Sequence, residues 1–321
     1  MKHLTLNEVA QFLRDHDDYT ILTHCRPDGD TVGCAAALCL VLRAMGKTCA
    51  IYDNPEFRPS QRDKRIAMIE SALRPTIVAV DIAAASLLPQ GFSGAVALCI
   101  DHHGSNSGYA AQGYVDAKSA ACGEILYELF RIMGADIDRA VAEALYLAIS
   151  TDTGCFRYSN TTPHTLRTAA ALMECGADTA EMNHRLFEVK SRARFALEAY
   201  LTETMRIYDG GKVAICQLPA VEKARMGVTE DDADSIAGFA RDLDGVEIAA
   251  MLRDLPEGGC KISLRTNAQR CNASDICAKL GGGGHCAAAG ATVPGDIPAG
   301  RAALLAAIAD YLGRPVSEDP V

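Results

Sequence analysis

Four short segments of the 321-residue chain carry side chains able to do chemistry: HCRPDGD, with His24, Asp28 and Asp30; AVDIA, with Asp81; DHHGSN, with Asp101, His102 and His103; and STDTGCFRYSN, with Asp152. Each has an ordinary structural explanation when taken alone. Asp30 precedes the helical run TVGCAAAL and suits an N-cap. Asp152, followed by Thr153 and Gly154, suits a helix-end turn, and a lone histidine is commonly a surface or core residue. Chance placement would have to repeat across all the segments, however, and carboxylates brought close repel strongly unless cations lie between them. Asp28, Asp30, Asp81 and Asp152 supply the negative charge that two divalent cations would neutralise. Mixed carboxylate and neutral imidazole donors suit manganese, and also iron, cobalt or zinc, better than calcium. Two metals about 3.5–4 Å apart can share a hydroxide and stabilise both the attacking and leaving oxygens of a phosphoryl transfer. Such a site needs no serine or cysteine nucleophile, and the sequence offers no convincing one.

The elements that must position these residues read as an α/β architecture. TILTH (Thr20 to His24) is a strand, TVGCAAALCLVLRAMG (Thr31 to Gly46) a helix, and CAIYD, TIVAVD and AVALCID three further strands. Nearly continuous apolar strands alternating with helices predict a parallel, doubly wound sheet. Its carboxyl-terminal edge, where ligands bind in such folds, receives His24, Asp81 and Asp101. From Ser119 to about Arg206 the pattern is helical, with Ser119, Asp138, Thr162 and Asp178 as N-caps and Gly134 and Gly176 as stops. A smaller, mixed-sheet α/β domain follows. DGGKVAICQL, VEIAAMLRDL and GCKISLRTN are its strands, and TEDDADSIAGFARDL is a helix between the first two. GGGGH (Gly281 to His285) then interrupts, and an Ala-rich helix closes the chain. The division expected is residues 1–186, a charged helical linker over 187–206, and a second domain over 207–321.

Composition narrows the function classes. Hydrophobic residues make up 49% of the chain, enough for sizeable cores, yet no apolar run approaches the roughly 18–20 residues of a membrane span. The N-terminus MKHLTLNEVAQFLRDHDD has no apolar signal region, so a soluble, cytoplasmic protein without membrane association is expected. Thirteen cysteines without CxxC pairs read as buried thiols in a reducing compartment, neither a disulfide framework nor a zinc site. A net charge of −10 argues against coating long DNA or RNA, while leaving room for a short phosphorylated ligand held by metals and a few arginines.

In order and spacing, the four segments resemble the DHH phosphoesterase family, named for its Asp-His-His motif. The run GGGGHCAAAGA resembles the glycine-rich motif of the associated C-terminal DHHA1 domain. The resemblance extends from about Thr20 to Ala291 and is strongest to the bacterial nanoRNase and 3′-phosphoadenosine-5′-phosphate (pAp) phosphatase group. It implies hydrolysis of short oligoribonucleotides and pAp with two metal ions, Mn²⁺ foremost, and a homodimer formed through the N-terminal domain. It also implies one metal on His24, Asp28 and Asp81 and a second on Asp30, Asp81, His102 and Asp152. His103 would meet the scissile phosphate, and Asp101 would orient a histidine. In the second domain Arg265, Asn267 and His285 match substrate-facing positions, and Gly283 and Gly284 lie in the run whose backbone can approach a phosphate or base. Arg157 is a further phosphate contact, and substrate is expected between the two domains. One departure is Cys34 after Gly33, where the family commonly has serine, with packing of the helix start as its expected role.

Competing readings within the same chemistry are a cyclic-dinucleotide phosphodiesterase, a RecJ-like exonuclease and an inorganic pyrophosphatase. Chain length disfavours the exonuclease and the GGGGH domain disfavours the pyrophosphatase. A non-catalytic nucleotide-binding regulator is the alternative from another class, and the complete ligand set argues against it.

Overall fold

The computed structural model describes residues 1–58, 61 and 66–320. The chain divides into two compact units, Met1–Val189 and Lys190–Val321. No helix among the described residues is long and apolar enough to cross a membrane.

The first unit is built on a seven-stranded sheet with every pairing parallel. Its strands are β1 (Lys2–His3), β2 (Tyr19–Leu22), β3 (Cys49–Tyr52), β4 (Ile69–Glu70), β5 (Thr76–Val80), β6 (Leu98–Asp101) and β7 (Gln112–Val115). The spatial order is β1-β7-β6-β5-β2-β3-β4. The chain runs outward from β2 through β3 to β4, then returns to the other side of β2 as β5. The order therefore reverses between β2 and β5, and the loops leaving these strands open a crevice at their carboxyl ends. β1 and β4, the two edges, are two-residue strands too short to show as apolar runs, and β7, QGYV, is an interior strand without a continuous apolar run. The expected first strand ends at Leu22, leaving Thr23 and His24 in the loop.

Helices α1 (Leu6–Asp15), α2 (Gly29–Ala44), α3 (Cys122–Met133) and α4 (Arg139–Asp152) accompany this sheet. α2 is buried nearly all round, as expected of a helix apolar on every face. It lies against α3 and α4, and small residues let the three approach closely. A Cβ on Gly33 would stand 2.4 Å from the Ala144 carbonyl oxygen, and one on Gly123 would stand 2.7 Å from Ala148 Cβ. At the start of α2, a Cβ on Gly29 would meet Thr151 Oγ1 at 2.2 Å. Sequence residues Asp28 and Asp30 are thereby brought to the end of α4, where Asp152 sits.

Two expected caps are corrected. α2 begins at Gly29, and its N-cap is Asp28, whose side chain accepts from the backbone N–H groups of Asp30 and Thr31. Asp30 is instead inside the first turn. Ser119 does not cap α3: the helix starts at Cys122, and Ser119 Oγ bonds Asp116. The first N–H groups of α3 donate to the Asp30 carboxylate, Cys122 N at 2.7 Å and Gly123 N at 3.1 Å. The cap is thus supplied from a position distant in sequence. Asp138, Thr162 and Asp178 do cap α4, α5 (Pro163–Glu174) and α6 (Thr179–Asn183). Gly134 takes the left-handed C-terminal position, and Gly176, φ 95°, follows the C-cap Cys175 of α5.

In the second unit the sheet order is β12-β13-β11-β10-β9-β8. These strands are β8 (Arg206–Tyr208), β9 (Val213–Leu218), β10 (Ile248–Asp254), β11 (Cys260–Thr266), β12 (Gly283–Gly284) and β13 (Ala288–Val293). Only β9 and β10 pair in parallel, which makes the sheet mixed. The helices are α7 (Arg192–Thr204), α8 (Ala220–Met226), α9 (Glu230–Ser235), α10 (Ala273–Ala278) and α11 (Ile297–Leu312). Strand alternation feeds two cores: Val213, Ile215, Ala250 and Leu252 pack with Leu304 and Ile308 of α11. Ala214, Cys216, Ala249 and Met251 pack with Leu197 and Leu201 of α7. The helical stretch near residues 187–206 is therefore fastened to this core. The single helix expected over TEDDADSIAGFARDL is two pieces, α9 and a 3₁₀ turn at Phe239–Asp242, broken around Gly238. The glycine run is part of the sheet, with Gly283 opposite Gly290 and Gly284 opposite Ala289.

Because Gly33 has no room for a Cβ, Gly33→Ala is expected to destabilise the protein by about 1–3 kcal/mol. A chemical-denaturation midpoint equal to the parent's would show that α2 and α4 are not held this closely.

Candidate metal centre

The loop after β2 shows why HCRPDGD needs its sequence. His24 Nδ1 donates to the Cys25 carbonyl at 2.7 Å, turning Nε2 toward Asp28 Oδ1 at 3.5 Å and Asp81 Oδ2 at 3.8 Å. Asn54, fully buried, secures the loop by donating to Thr23 Oγ1 and the His24 carbonyl. Burial raises the Asp28 pKa, but His24 and the N–H groups at the start of α2 outweigh it and hold the carboxyl below its usual range. Burial alone would lower His24, yet Asp28 leaves it raised.

Asp81 lies just past β5 in left-handed backbone, φ 58°, a conformation that costs a non-glycine residue about 1–2 kcal/mol. Its side chain is 2% exposed. Oδ1 is buried and accepts no hydrogen bond from any described residue, although His102 Nε2 and His103 Nδ1 stand 3.4 and 3.6 Å away. Burial first, then the charges of Asp28, Asp152 and Asp101, push its pKa well above the carboxylate range. Burial and the charges of Asp81 and Asp152 do the same to Asp30. Asp30 differs in its partners: Oδ1 accepts from Gly123 N and the Cys34 thiol, and Oδ2 accepts from Cys122 N. One lone pair, on Oδ2, is left to face the cluster. Cys34 thus touches a central carboxylate, which is more than packing the helix start.

In the DHH segment the two histidines are oriented differently. His102 Nδ1 donates to the Ser119 carbonyl at 3.2 Å. Its Nε2 then lies 3.8 Å from Asp30 Oδ2, 3.4 Å from Asp81 Oδ1 and 3.6 Å from Asp152 Oδ2. His103 Nδ1 is engaged by Asp101 Oδ1 at 2.7 Å, and Asn106 holds the other Asp101 oxygen at 2.6 Å. Burial raises Asp101, but these donors, His103 first, bring it below its usual value. Asp152 ends α4, and Asn160 fixes the backbone there by donating to the carbonyls of Asp152 and Ala120. Burial and Asp28 raise the Asp152 pKa, with His102 opposing. Gly154, Cys155 and Phe156 follow in consecutive left-handed conformations, φ 55°, 58° and 62°, turning the chain sharply away.

Three donor sets, each with atoms within 4.8 Å of one another, emerge from these segments: His24, Asp28 and Asp81; Asp30, His102 and Asp152; and Asp81, His102 and His103. Asp81 faces the first set through Oδ2 and the others through Oδ1. A cavity of about 380 Å³ opens beside them, lined in part by His24, Arg26, Asp28, Asp81, His103 and Asp152. An unpartnered buried carboxylate oxygen among mixed nitrogen and oxygen donors fits divalent cations.

The remaining sequence-predicted residues lie elsewhere. Arg157 is exposed on the loop after Asp152, its Nε donating to the Gly154 carbonyl. In the second unit Arg265 stands opposite Ala288 across the β11–β13 ladder. Asn267 accepts from Gln269 N, and His285 is exposed at the hairpin joining β12 to β13. Gly283 has open space where a Cβ would sit, while one on Gly284 would lie 2.6 Å from the Ala288 carbonyl oxygen. Sequence reasoning missed Arg26, Cys34, Asn54, Asn106, Ser119 as an acceptor and Asn160. Arg26, Asn106 and Asn160 stand inside the motif segments themselves; Asn54 carried no local signal.

Residues 18–149 match the family model for the DHH family, N-terminal domain, and residues 210–314 match that for the DHHA1 domain. A bifunctional oligoribonuclease and PAP phosphatase NrnA of Thermus thermophilus is 33% identical over 92% of this chain and 90% of its own length. The chain belongs to the DHH family. A second NrnA of that description, from Bacillus subtilis, is 25% identical over 89% of this chain and 92% of its own. The fold is shared with an exopolyphosphatase-related protein from Bacteroides fragilis, with TM-score 0.83, 22% identity and coverage of 95% and 96% of the two chains. The family's Asp-His-His triplet corresponds to Asp101, His102 and His103, the segment in which one histidine faces the carboxylates and the other is held by Asp101.

Removing the charge at the unpartnered oxygen separates cation binding from folding. In EDTA, Asp81→Asn is expected to be at least as stable as the parent, because a buried charge without a donor is costly. Mn²⁺ is expected to raise the parent's Tm and leave that of Asp81→Asn nearly unchanged. Equal metal-induced shifts in both proteins would show that the cation sits elsewhere.

Proposed function

We propose that this protein is a two-metal phosphoesterase that hydrolyses short oligoribonucleotides and removes the 3′-phosphate of pAp. The observation that carries the reading is Asp81, a strained and buried carboxylate whose two oxygens face separate donor sets, one of them without a hydrogen bond. The activity named for the relatives supports the substrate class.

His24, Asp28 and Asp81 would hold one cation, and Asp30, Asp81, His102 and Asp152 the other, with Mn²⁺ suited to the donors. Divalent cations bound there supply Lewis-acid stabilisation of phosphoryl charge and lower the pKa of attacking water. The protein's own part is to keep each donor in place. Backbone carbonyls fix His24 and His102 in the tautomer that presents Nε2. Asp101 holds His103 Nδ1, leaving Nε2 for a phosphoryl oxygen in the cavity. Arg157, Arg265, Asn267, the backbone at Gly283 and Gly284, and His285 would bind the substrate's phosphates and bases, limiting its length.

The test is hydrolysis of four substrates with Mn²⁺: pAp, a 5′-phosphorylated RNA dinucleotide, a long RNA and cyclic di-AMP. Rapid cleavage of the first two is expected, with turnover abolished in Asp152→Ala and KM raised in His285→Ala. Preference for cyclic di-AMP would replace the substrate assignment, and full activity in Asp152→Ala would refute the metal mechanism.

A further inference from the structure

Apart from the residues assigned above, one side chain among the described residues on the wall of the 380 Å³ cavity carries positive charge, and it is Arg26. Three carboxylates, of Asp28, Asp81 and Asp152, line the same wall. Yet the exposed guanidinium makes no ion pair or hydrogen bond with any described residue. It contrasts in this with Arg157, whose Nε is committed to a backbone carbonyl.

The backbone that carries Arg26 is held at a cost. Its φ is 51°, the left-handed region, which disfavours a branched or long side chain by about 1–2 kcal/mol. A relay of side chains maintains it. Arg26 N donates to Glu56 Oε2 at 2.9 Å, and Glu56 N donates to Asn54 Oδ1 at 3.0 Å. Asn54 in turn is anchored on Thr23 and His24. The preceding amide, Cys25 N, donates to the Leu87 carbonyl at 2.7 Å. Strain that persists because several contacts over-determine it points to a functional orientation. Here the orientation presents an uncommitted guanidinium at the cavity wall, one residue before the Pro27–Asp28 turn that starts α2.

The geometry points to Arg26 as a substrate-binding residue that pairs with a non-bridging phosphate oxygen of a short nucleotide. This inference rests on the phosphoester-hydrolase reading and adds a recognition element in the catalytic unit itself. The guanidinium suits the task because its planar fork grips two oxygens of one phosphate. An anion entering a carboxylate-lined cavity also needs nearby positive charge beyond that used to neutralise the aspartates.

The test uses the full-length, Mn²⁺-loaded protein and two measurements. One is equilibrium binding of a 5′-phosphorylated RNA dinucleotide analogue whose scissile bridging oxygen is replaced by methylene, which blocks hydrolysis and keeps the non-bridging oxygens; the other is the kinetics of the ordinary dinucleotide. Arg26→Ala is expected to raise both Kd and KM about tenfold or more, with kcat within about threefold and bound manganese unchanged. Arg26→Lys, which keeps the charge without the fork, should recover part of the binding. Unchanged Kd and KM would overturn the assignment. So would loss of manganese in Arg26→Ala, which would make the residue a support for the loop. A parent protein that binds the probe and cleaves nothing would sink the hydrolase reading alone, and weaker binding by Arg26→Ala would still support the assignment.

Discussion

Mutual repulsion among Asp28, Asp30, Asp81 and Asp152 is the constraint around which the first unit is organised. The four carboxylates come from the start of α2, the loop after β5 and the end of α4, and burial makes their proximity more costly than it would be in water. The fold offsets this unequally. Asp28 receives two N–H groups at the start of α2, and Asp30 receives two at the start of α3 together with a thiol. Both therefore sit where a helix dipole favours negative charge. Asp81 has no such donor. Its Oδ1 is a buried carboxylate oxygen to which no described residue donates, and two sets of nitrogen and oxygen donors meet at Asp81.

Holding that arrangement requires helices closer than ordinary side chains allow. Gly33 and Gly123 remove the Cβ atoms that would separate α2 and α3 from α4, and Gly29 does the same against Thr151. The consequence is that the first turn of α2, the first turn of α3 and the last turn of α4 converge. Local strain then aims the ligands: left-handed backbone at Asp81, and a left-handed turn over Gly154, Cys155 and Phe156 that takes the chain away after Asp152. These distortions sit next to the site and are stabilised by fixed hydrogen bonds such as those of Asn160.

The second unit solves a different problem. Its sheet packs on both faces, yet at the β12 edge the side chains vanish into glycine. Gly284 is glycine because its neighbour's carbonyl leaves no room and its φ is 150°. Gly283 faces open space, so crowding within the fold does not demand glycine there. The β12 edge carries backbone N–H and C=O groups that no further strand among the described residues pairs.

Much of this was legible from residue order. Parallel strands followed from continuous apolar runs, because a strand covered on both faces has no polar side to alternate with. The cluster followed from acidic and histidine residues recurring at strand and helix ends. Three of the four expected caps of the helical region held, since Asp138, Thr162 and Asp178 bond to amides within their own next turn. Ser119 failed because the competing acceptor, Asp30, arrives from another helix, and no local pattern encodes such a partner. The same reason hid Cys34, Asn54 and the Ser119 carbonyl. The identity of the candidate donor residues is thus a property of the sequence, written in their types and spacing. Which nitrogen each histidine presents, which buried carboxylate oxygen is left without a donor, and which arginine stands free at the cavity are decided by contacts between segments far apart in the chain. Only the folded backbone brings those segments within hydrogen-bonding distance.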